Sequence, residues 1–195
     1  MRYSASHKAA TRQRVLEASG ALVKREGFAA TGVDQLMGAA GLTGGAFYSH
    51  FDSKQALLRE VIARELQRSR ELLLLDGEGG DGAWLAGMLD RYLTMGHVRH
   101  PETGCPLPSL AAEIARADVE TRTACEDGLV AMQRDIAGRL GSGEAAWGVM
   151  SQCVGALMLA RTVASQDVAR EILAGARDML ERRLGEQAVD ARGLK

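Results

Sequence analysis

Tyr48, His50 and Lys54 place three hydrogen-bond donors within one short, glycine-rich segment. A phenol, an imidazole and an ammonium group can each donate to a phosphate oxygen. Phe47 and Phe51 are four residues apart, which is the spacing of one buried helical face, so a helix that carries them turns Tyr48 and His50 outward. The segment therefore predicts a surface that binds the phosphate backbone of a nucleic acid.

Two adjacent glycines, Gly44 and Gly45, come just before these residues, where the flanking pattern favours a helix. Each glycine costs roughly 1 kcal/mol relative to alanine in a helix interior, so another gain must offset that cost. In a helix that enters the major groove of DNA, glycine lets the backbone approach base edges and phosphates more closely than any side chain allows. The alternative is that both glycines merely relax a tight turn.

A second group of reactive side chains, His97, His100, Glu102 and Cys105, could together ligate a metal ion. Their spacing fits no common zinc pattern, and the chain contains no nucleophile motif such as Gly-x-Ser-x-Gly. The alternative is a polar loop that precedes a helix. We therefore expect no metal, no cofactor and no enzymatic activity, and a small metal-binding enzyme is the rival hypothesis.

Cys105 could also act alone as a redox or electrophile sensor, because it follows Gly104 in a loop whose neighbouring cations could stabilise a thiolate. The alternative is a small buried hydrophobic residue, the commoner role of a free cysteine. Cys125 and Cys153 lie within helical patterns and are expected to be inert. Three cysteines without paired spacing, and no signal-peptide pattern, predict a reducing compartment and hence a cytoplasmic protein.

The composition of the 195 residues, 46% hydrophobic with only three prolines and three phenylalanines, indicates an all-α fold. Charge is unevenly distributed, since residues 1–60 carry a net charge of +3 and the remainder −4. The basic excess near the N-terminus suits a nucleic-acid contact, although a solvated helix start would explain it equally well. The most apolar stretch, residues 145–160, is shorter than the ~20 residues that span a bilayer, so we expect no membrane partner.

Helical periodicity predicts two short helices joined by a tight turn within residues 32–51. Thr31, followed by Asp34 three residues later, resembles the cap of the first helix, and Gly41 can take the left-handed conformation that ends it. Thr43 is the predicted cap of the second helix. This pattern is typical of a helix-turn-helix.

Longer helical patterns surround this motif. Ser53 is predicted to start a helix directly after it. The other expected helices cover about residues 8–26, 83–99, 107–116, 118–141, 144–164 and 168–186. The pattern over 144–164 is apolar nearly all round, so that helix must be covered on two sides.

Residues 11–62, from TRQRVLEASG to SKQALLREVI, closely resemble the N-terminal domain of tetracycline-repressor-type (TetR/AcrR) transcriptional regulators. The resemblance implies an all-helical homodimer with a three-helix DNA-binding domain at residues 1–52. Residues 53–195 would then form a larger C-terminal domain that binds an effector and dimerises through its last two long helices. A rival of another class is a helical protein-binding adaptor.

The resemblance also assigns roles to individual residues. Thr31, Thr43, Tyr48, His50 and Lys54 correspond to residues that reach the DNA backbone. Because Gly44 and Gly45 occupy positions where base-contacting residues are often found, reading of bases would fall to neighbours or to DNA shape. The candidate neighbours are Gln35, Thr43 and Ser49.

The function implied is that of a ligand-responsive repressor, released from a near-palindromic double-stranded operator by a small molecule. An apolar or amphipathic effector is expected to bind inside the C-terminal domain, although a stripe of methionine and aromatic residues is more often ordinary core. The candidate pocket residues are Trp84, Met88, Tyr92, Leu110, Met132 and Trp147.

Overall fold

A computed structural model of the chain describes residues 5–75 and 81–193, and every regular element within these ranges is helical. The all-α prediction is therefore confirmed. No helix of the described residues is long and apolar enough to cross a membrane. The α-helices are α1 Ala5–Glu26, α2 Val33–Ala39, α3 Lys54–Leu73, α4 Asp81–Tyr92, α5 Met95–Arg99, α6 Leu107–Ile114, α7 Val119–Leu140, α8 Gly143–Thr162 and α9 Gln166–Gly193, and short 3₁₀ helices cover Gly44–Ser49 and Pro101–Thr103.

One predicted helix is interrupted, because residues 83–99 contribute to α4 and α5 rather than to a single helix. Thr94 explains the break, since its Oγ1 accepts a hydrogen bond from the backbone N–H of His97 at 2.9 Å. A threonine oxygen that caps a new first turn in this way favours a fresh start over continuation of the helix. His97 is also held locally, with its Nδ1 2.9 Å from the Tyr92 carbonyl oxygen.

The predicted caps at the start of the chain have mixed outcomes. Thr31 does not cap α2, because its hydroxyl donates to the Gly27 carbonyl at 2.6 Å and so closes the preceding turn. Gly32 takes the cap position, and its N–H donates to Gln35 Oε1 at 2.7 Å. Ser53 is confirmed as the cap of α3, since its Oγ accepts from Ala56 N at 3.0 Å.

Backbone contacts divide the described residues into two compact units. The first contains residues 5–69 together with 100–129, and the second contains 70–75, 81–99 and 130–193. The proposed domain boundary after residue 52 stays a prediction. The core of the first unit is formed by fully or almost fully buried side chains of Val15, Leu36, Met37, Phe47, Leu57, Ile62 and Leu66.

An ion pair lies inside the first unit. Lys24 and Glu65 have side-chain exposures of 0% and 2%, and Lys24 Nζ lies 2.5 Å from Glu65 Oε2. The ammonium group also donates to the Gly104 carbonyl oxygen at 2.9 Å, while Glu65 Oε1 accepts from Arg64 at 3.2 Å. Both charges are therefore satisfied by more than one partner, as burial of a charge requires.

The second unit is built around α4, α8 and α9 with the end of α7. Trp84, Met88, Leu89, Ile136 and Leu157 are its largest fully buried side chains. The indole Nε1 of Trp84 donates to the Leu73 carbonyl oxygen at 3.2 Å, so the ring is buried with its polar atom satisfied.

Part of α8 remains uncovered in the single chain. Trp147, Met158 and Leu159 are exposed apolar residues on this helix, and Leu159 is 59% accessible. Met179 is a further exposed apolar residue, on α9. Isolated apolar residues on a surface are ordinary, but several on one long helix leave apolar area for a partner to bury.

Candidate nucleic-acid interface

A tight turn joins α2 to the 3₁₀ helix Gly44–Ser49. We call this 3₁₀ helix the recognition segment. Gly41 has a φ of +71°, a conformation that favours glycine, and its N–H donates to the Gly38 carbonyl at 2.9 Å. Leu42 N–H donates to the Met37 carbonyl at 3.0 Å. These bonds end α2 at the predicted position and fix the start of the recognition segment.

The recognition segment buries one aromatic face and exposes another. Phe47 and Phe51 are buried with ring centroids 5.6 Å apart, as their spacing predicted. Tyr48 is 75% exposed, and its ring meets Phe47 edge-on at 5.2 Å between centroids. The buried rings therefore support an exposed phenol, which is the arrangement that a contact to phosphate requires.

The two glycines of the segment occupy different surroundings. A Cβ built on Gly44 would lie 1.7 Å from Asp34 Oδ1, so a side chain here requires the exposed Asp34 carboxylate of α2 to move. A Cβ on Gly45 would meet nothing within 4 Å. Gly44 is thus explained by packing within the motif, while Gly45 leaves open space that suits close approach of another molecule.

The three candidate base readers differ in how far the motif uses their polar atoms. Gln35 is exposed, and its amide oxygen is engaged with Gly32 N, which leaves the amide NH₂ group for a partner. Ser49 donates its hydroxyl to the Ala46 carbonyl at 2.6 Å. Thr43 occupies the cap position of the recognition segment, but the predicted side-chain cap is wrong because its hydroxyl makes no cap hydrogen bond. Thr43 is exposed and therefore available to a base or a phosphate.

Thr31 and Lys54 are held by bonds within the first unit. Thr31 is 1% exposed, so its hydroxyl serves the turn at Gly27 rather than facing outward. Lys54 Nζ donates to the Phe28 carbonyl at 2.8 Å and lies 4.3 Å from the centre of the Phe28 ring. Burial lowers the pKa of Lys54, and the Glu113 carboxylate acts in the opposite direction. The phosphate contact of Lys54 stays a prediction, and the structure adds an internal role.

Arg12 is a residue whose role sequence reasoning missed. Its guanidinium forms an ion pair with Glu60 and lies 4.7 Å from the centre of the Phe51 ring. Its Nε also donates to the His50 carbonyl at 3.3 Å. The sequence placed Arg12 in a basic N-terminus that was expected to contact nucleic acid. In the structure, α1 instead positions its side chain against the end of the recognition segment, which it stabilises.

His50 is half-buried, and its Nδ1 has no hydrogen-bond partner among the described residues. Its pKa is lowered by burial first, and then by the positive charges of Lys8 and Arg12. Burial and the nearby cations therefore favour the neutral form of the imidazole. A phosphate contact of His50 stays a prediction, and it would require donation from the ring in its neutral form.

We expect this shift to make the folded state less stable in acid. Because the pKa of His50 is lower in the folded than in the unfolded chain, its contribution is fully present above pH ~6.5 and is lost as the pH falls through the folded value. His50→Gln should make the decline in unfolding free energy below pH 6.5 shallower in urea titrations. Ser49→Ala, which changes a neighbouring non-titrating residue, is the control, and an identical pH slope in wild type and His50→Gln would contradict the assignment.

Comparisons with known proteins agree with this geometry. Residues 15–61 match the family described as bacterial regulatory proteins, tetR family. Residues 15–61 therefore carry the DNA-binding domain of the TetR family. It is 26% identical, over 133 residues, to an uncharacterized HTH-type transcriptional regulator in the lacX 3′ region of Lactococcus lactis subsp. lactis. The aligned residues are 67% of this chain and 68% of that relative.

Solved structures of similar proteins share the fold along most of the chain. A TetR transcriptional regulator from Chloroflexus aurantiacus gives a TM-score of 0.77 at 22% identity, covering 92% of this chain and 96% of its own. The reduced form of E. coli NemR gives 0.73 at 22% identity, covering 89% and 96%. The chain therefore has the helical fold of these proteins, and residues 15–61 carry a DNA-binding domain of the kind found in bacterial transcriptional regulators.

The predicted effector residues fall into different surroundings. Trp84, Met88, Tyr92 and Met132 are buried in the second unit, whereas Leu110 is buried in the first. Trp147 is 42% exposed on α8 and so contributes to a surface. The pocket stays a prediction, and the buried members alone have the environment that it requires.

Cys105 is buried, at 4% exposure. Such burial is the environment expected under the structural alternative, and the sensor role stays a prediction. Burial, and then Cys105, raise the pKa of Cys125, which keeps that second thiol protonated. The rival metal site is not formed, since no group of three or more histidine, cysteine or acidic residues that could hold a metal ion occurs among the described residues.

Proposed function

We propose that the chain is a ligand-responsive repressor that binds a near-palindromic operator as a homodimer. The observation that carries the proposal is the exposed face of the recognition segment. Tyr48 stands out from a buried aromatic base, Thr43 is exposed, and the space beside Gly45 is open. A helix that presents its backbone and a few small polar groups can lie deep in a major groove.

Sequence selectivity in this arrangement comes from few groups. The candidate base-reading groups are Thr43, Ser49 and the Gln35 amide, and none of them offers the two-pronged contact of an arginine to guanine. We therefore infer that the shape and deformability of the operator contribute a large share of its recognition. Base preferences should be concentrated at few positions in each half-site.

The experiment that tests the function is selection of duplexes by the purified protein from a random-sequence DNA library. We expect an inverted repeat with half-site centres about one helical turn, 34–36 Å, apart. The affinity for the selected duplex should fall steeply with salt concentration, as phosphate contacts require. Failure to enrich any sequence above bulk DNA would contradict the proposal and favour a helical adaptor.

The effector hypothesis is tested with the same duplex. A small molecule found in a thermal-shift screen should raise the melting temperature and lower the affinity for the selected duplex. Release requires that the molecule bind more tightly to the form of the protein that does not bind DNA, and the ratio of the two affinities sets the size of the response. A molecule that stabilises the protein without changing its affinity for DNA is not an inducer.

Dimerisation is assigned to the apolar surface of α8, where Trp147, Met158 and Leu159 are exposed in the single chain. Met158→Glu should raise the dimer dissociation constant at least about tenfold, because burial of an unpaired charge costs several kcal/mol. Analytical ultracentrifugation measures this constant. Arg134→Glu, a charge reversal at an exposed site on α7, is the control. Equal dissociation constants for the two variants would place the interface elsewhere.

A further inference from the structure

Glu113, in α6, binds the turn that follows α1. Its Oε1 accepts a hydrogen bond from Phe28 N at 3.1 Å, and its Oε2 accepts from Ala29 N at 2.7 Å. Gly27 makes this approach feasible, because its φ of +84° favours glycine and a Cβ there would lie 3.0 Å from Glu113 Oε1. One carboxylate thus satisfies two adjacent backbone amides.

Two other side chains hold the same turn. Lys54 donates to the Phe28 carbonyl, and the Thr31 hydroxyl donates to the Gly27 carbonyl. The ammonium group of Lys54 also lies over the Phe28 ring. The polar atoms of the turn are therefore bound mainly by side chains rather than by regular secondary structure. Bonds that involve an ionised group are roughly twice as strong as neutral ones, so Glu113 and Lys54 contribute most.

This turn sets the position of the DNA-binding motif. It ends at Thr31, and α2 begins two residues later at Val33. The recognition segment follows after the fixed turn at Gly41. Any change in the direction of the chain at Phe28 and Ala29 is therefore passed to α2 and then to the recognition segment.

We propose that Glu113 is a positioning residue for DNA binding, which orients the helix-turn-helix by holding the backbone amides of Phe28 and Ala29. This inference rests on the proposed function. Glu113 lies more than eighty residues further along the chain than the turn it binds. Through Glu113, the segment that follows residue 100 therefore helps to set the position of the DNA-binding motif.

The bonds of Glu113 are placed where they can be released. A cleft of about 540 Å³ adjoins them, lined in part by Phe28, Lys54, Leu58, Glu113 and Arg116. Glu113 itself is half-buried. The carboxylate therefore has room to move away from the amides without a void forming in the core, as a switchable contact requires.

The proposal predicts that loss of the Glu113 charge lowers the affinity for DNA, whereas electrostatics alone predicts that it raises the affinity. Removal of a negative charge from a DNA-binding protein by itself raises the affinity for DNA. Loss of the positioning bonds should instead lower it by about tenfold, since a hydrogen bond to a charged group contributes of that order. Glu113→Ala and Glu113→Gln remove the same charge, but only glutamine keeps an acceptor oxygen for one amide.

The experiment measures two properties of the full-length wild type, Glu113→Ala and Glu113→Gln. The first is hydrogen exchange at the Phe28 and Ala29 amides by NMR, which needs no DNA. The second is the affinity for the duplex selected by the wild type, over a range of salt concentrations. The control is Glu120→Ala, which removes an exposed charge on α7 that makes no hydrogen bond or ion pair with the described residues.

We expect hydrogen exchange at both amides to accelerate at least tenfold in Glu113→Ala, and by a smaller factor in Glu113→Gln. The affinity for DNA should be highest in the wild type, intermediate in Glu113→Gln and lowest in Glu113→Ala. The dependence of that affinity on salt concentration should not change. Unchanged exchange, or unchanged or higher affinity in Glu113→Ala, would overturn the proposal. If the wild type selects no duplex, the proposed function fails, while amide exchange at Phe28, Ala29 and the α2 residues still decides whether Glu113 orders the motif.

Discussion

Replacement of Lys24 by methionine will lower the free energy of unfolding by about 3 to 5 kcal/mol. The substitution leaves the Glu65 carboxylate buried without its main cation and removes the bond from Lys24 to the Gly104 carbonyl. Arg64 remains, but it meets Glu65 only through Oε1 at 3.2 Å. Urea unfolding followed by circular dichroism measures the loss.

Two further variants test whether the loss of stability comes from the buried ion pair or from removal of any positive charge. Lys24→Met combined with Glu65→Leu should recover most of the stability, because replacing both charges with apolar groups is often neutral. Arg25→Ala breaks a neighbouring exposed ion pair with Glu26 and should cost far less stability, because solvent screens an exposed pair. A cost for Lys24→Met as small as that of Arg25→Ala would show that Glu65 finds other partners.

The second large effect is expected at Gly44. Its replacement by alanine requires the exposed Asp34 side chain, whose Oδ1 would lie 1.7 Å from the new methyl group, to turn away, and should destabilise the protein by about 1 kcal/mol or less. Relief of that overlap must move either Asp34 or the recognition segment, so we expect the affinity for the selected duplex to fall at least about tenfold. Binding and thermal unfolding measure the two effects.

The neighbouring glycine supplies a control within the same segment. Gly45→Ala places a methyl group in open space and should leave stability unchanged or slightly improved, since alanine restricts the unfolded chain. Asp34→Ala should restore much of the stability of the Gly44→Ala protein by removing the atoms that overlap. If Gly44→Ala and Gly45→Ala behaved alike, contact with Asp34 would not be the reason for the glycine.

The elements that rest on local pattern could be predicted from the sequence. The Phe47 and Phe51 spacing gave the buried face, Gly41 gave the end of α2, and Ser53 gave the cap of α3. Each of these features depends on residues within a few positions of one another. Periodicity and capping rules describe such short-range relations well.

The parts of the site that could not be predicted depend on partners far away in the chain. Lys54 was predicted from the sequence to donate to a phosphate, but the Phe28 carbonyl, 26 positions earlier in the chain, accepts its bond. Arg12 appeared to belong to a basic N-terminus and instead braces the recognition segment. Glu113 carries no local signal at all, since a glutamate in a short amphipathic helix is ordinary. Which partner a charged side chain binds depends on the tertiary fold, because the candidates lie far apart in the chain.

The chain contains two tryptophans, and their contrasting surroundings give the protein two built-in optical reporters. The Trp84 indole is buried and bonded to the Leu73 carbonyl, so its emission should lie at short wavelength and resist quenching by acrylamide. Trp147, on the α8 surface assigned to dimerisation, should emit at longer wavelength and be readily quenched in the monomer. Unfolding and self-association of the unlabelled wild type can therefore be followed separately in one fluorescence spectrum.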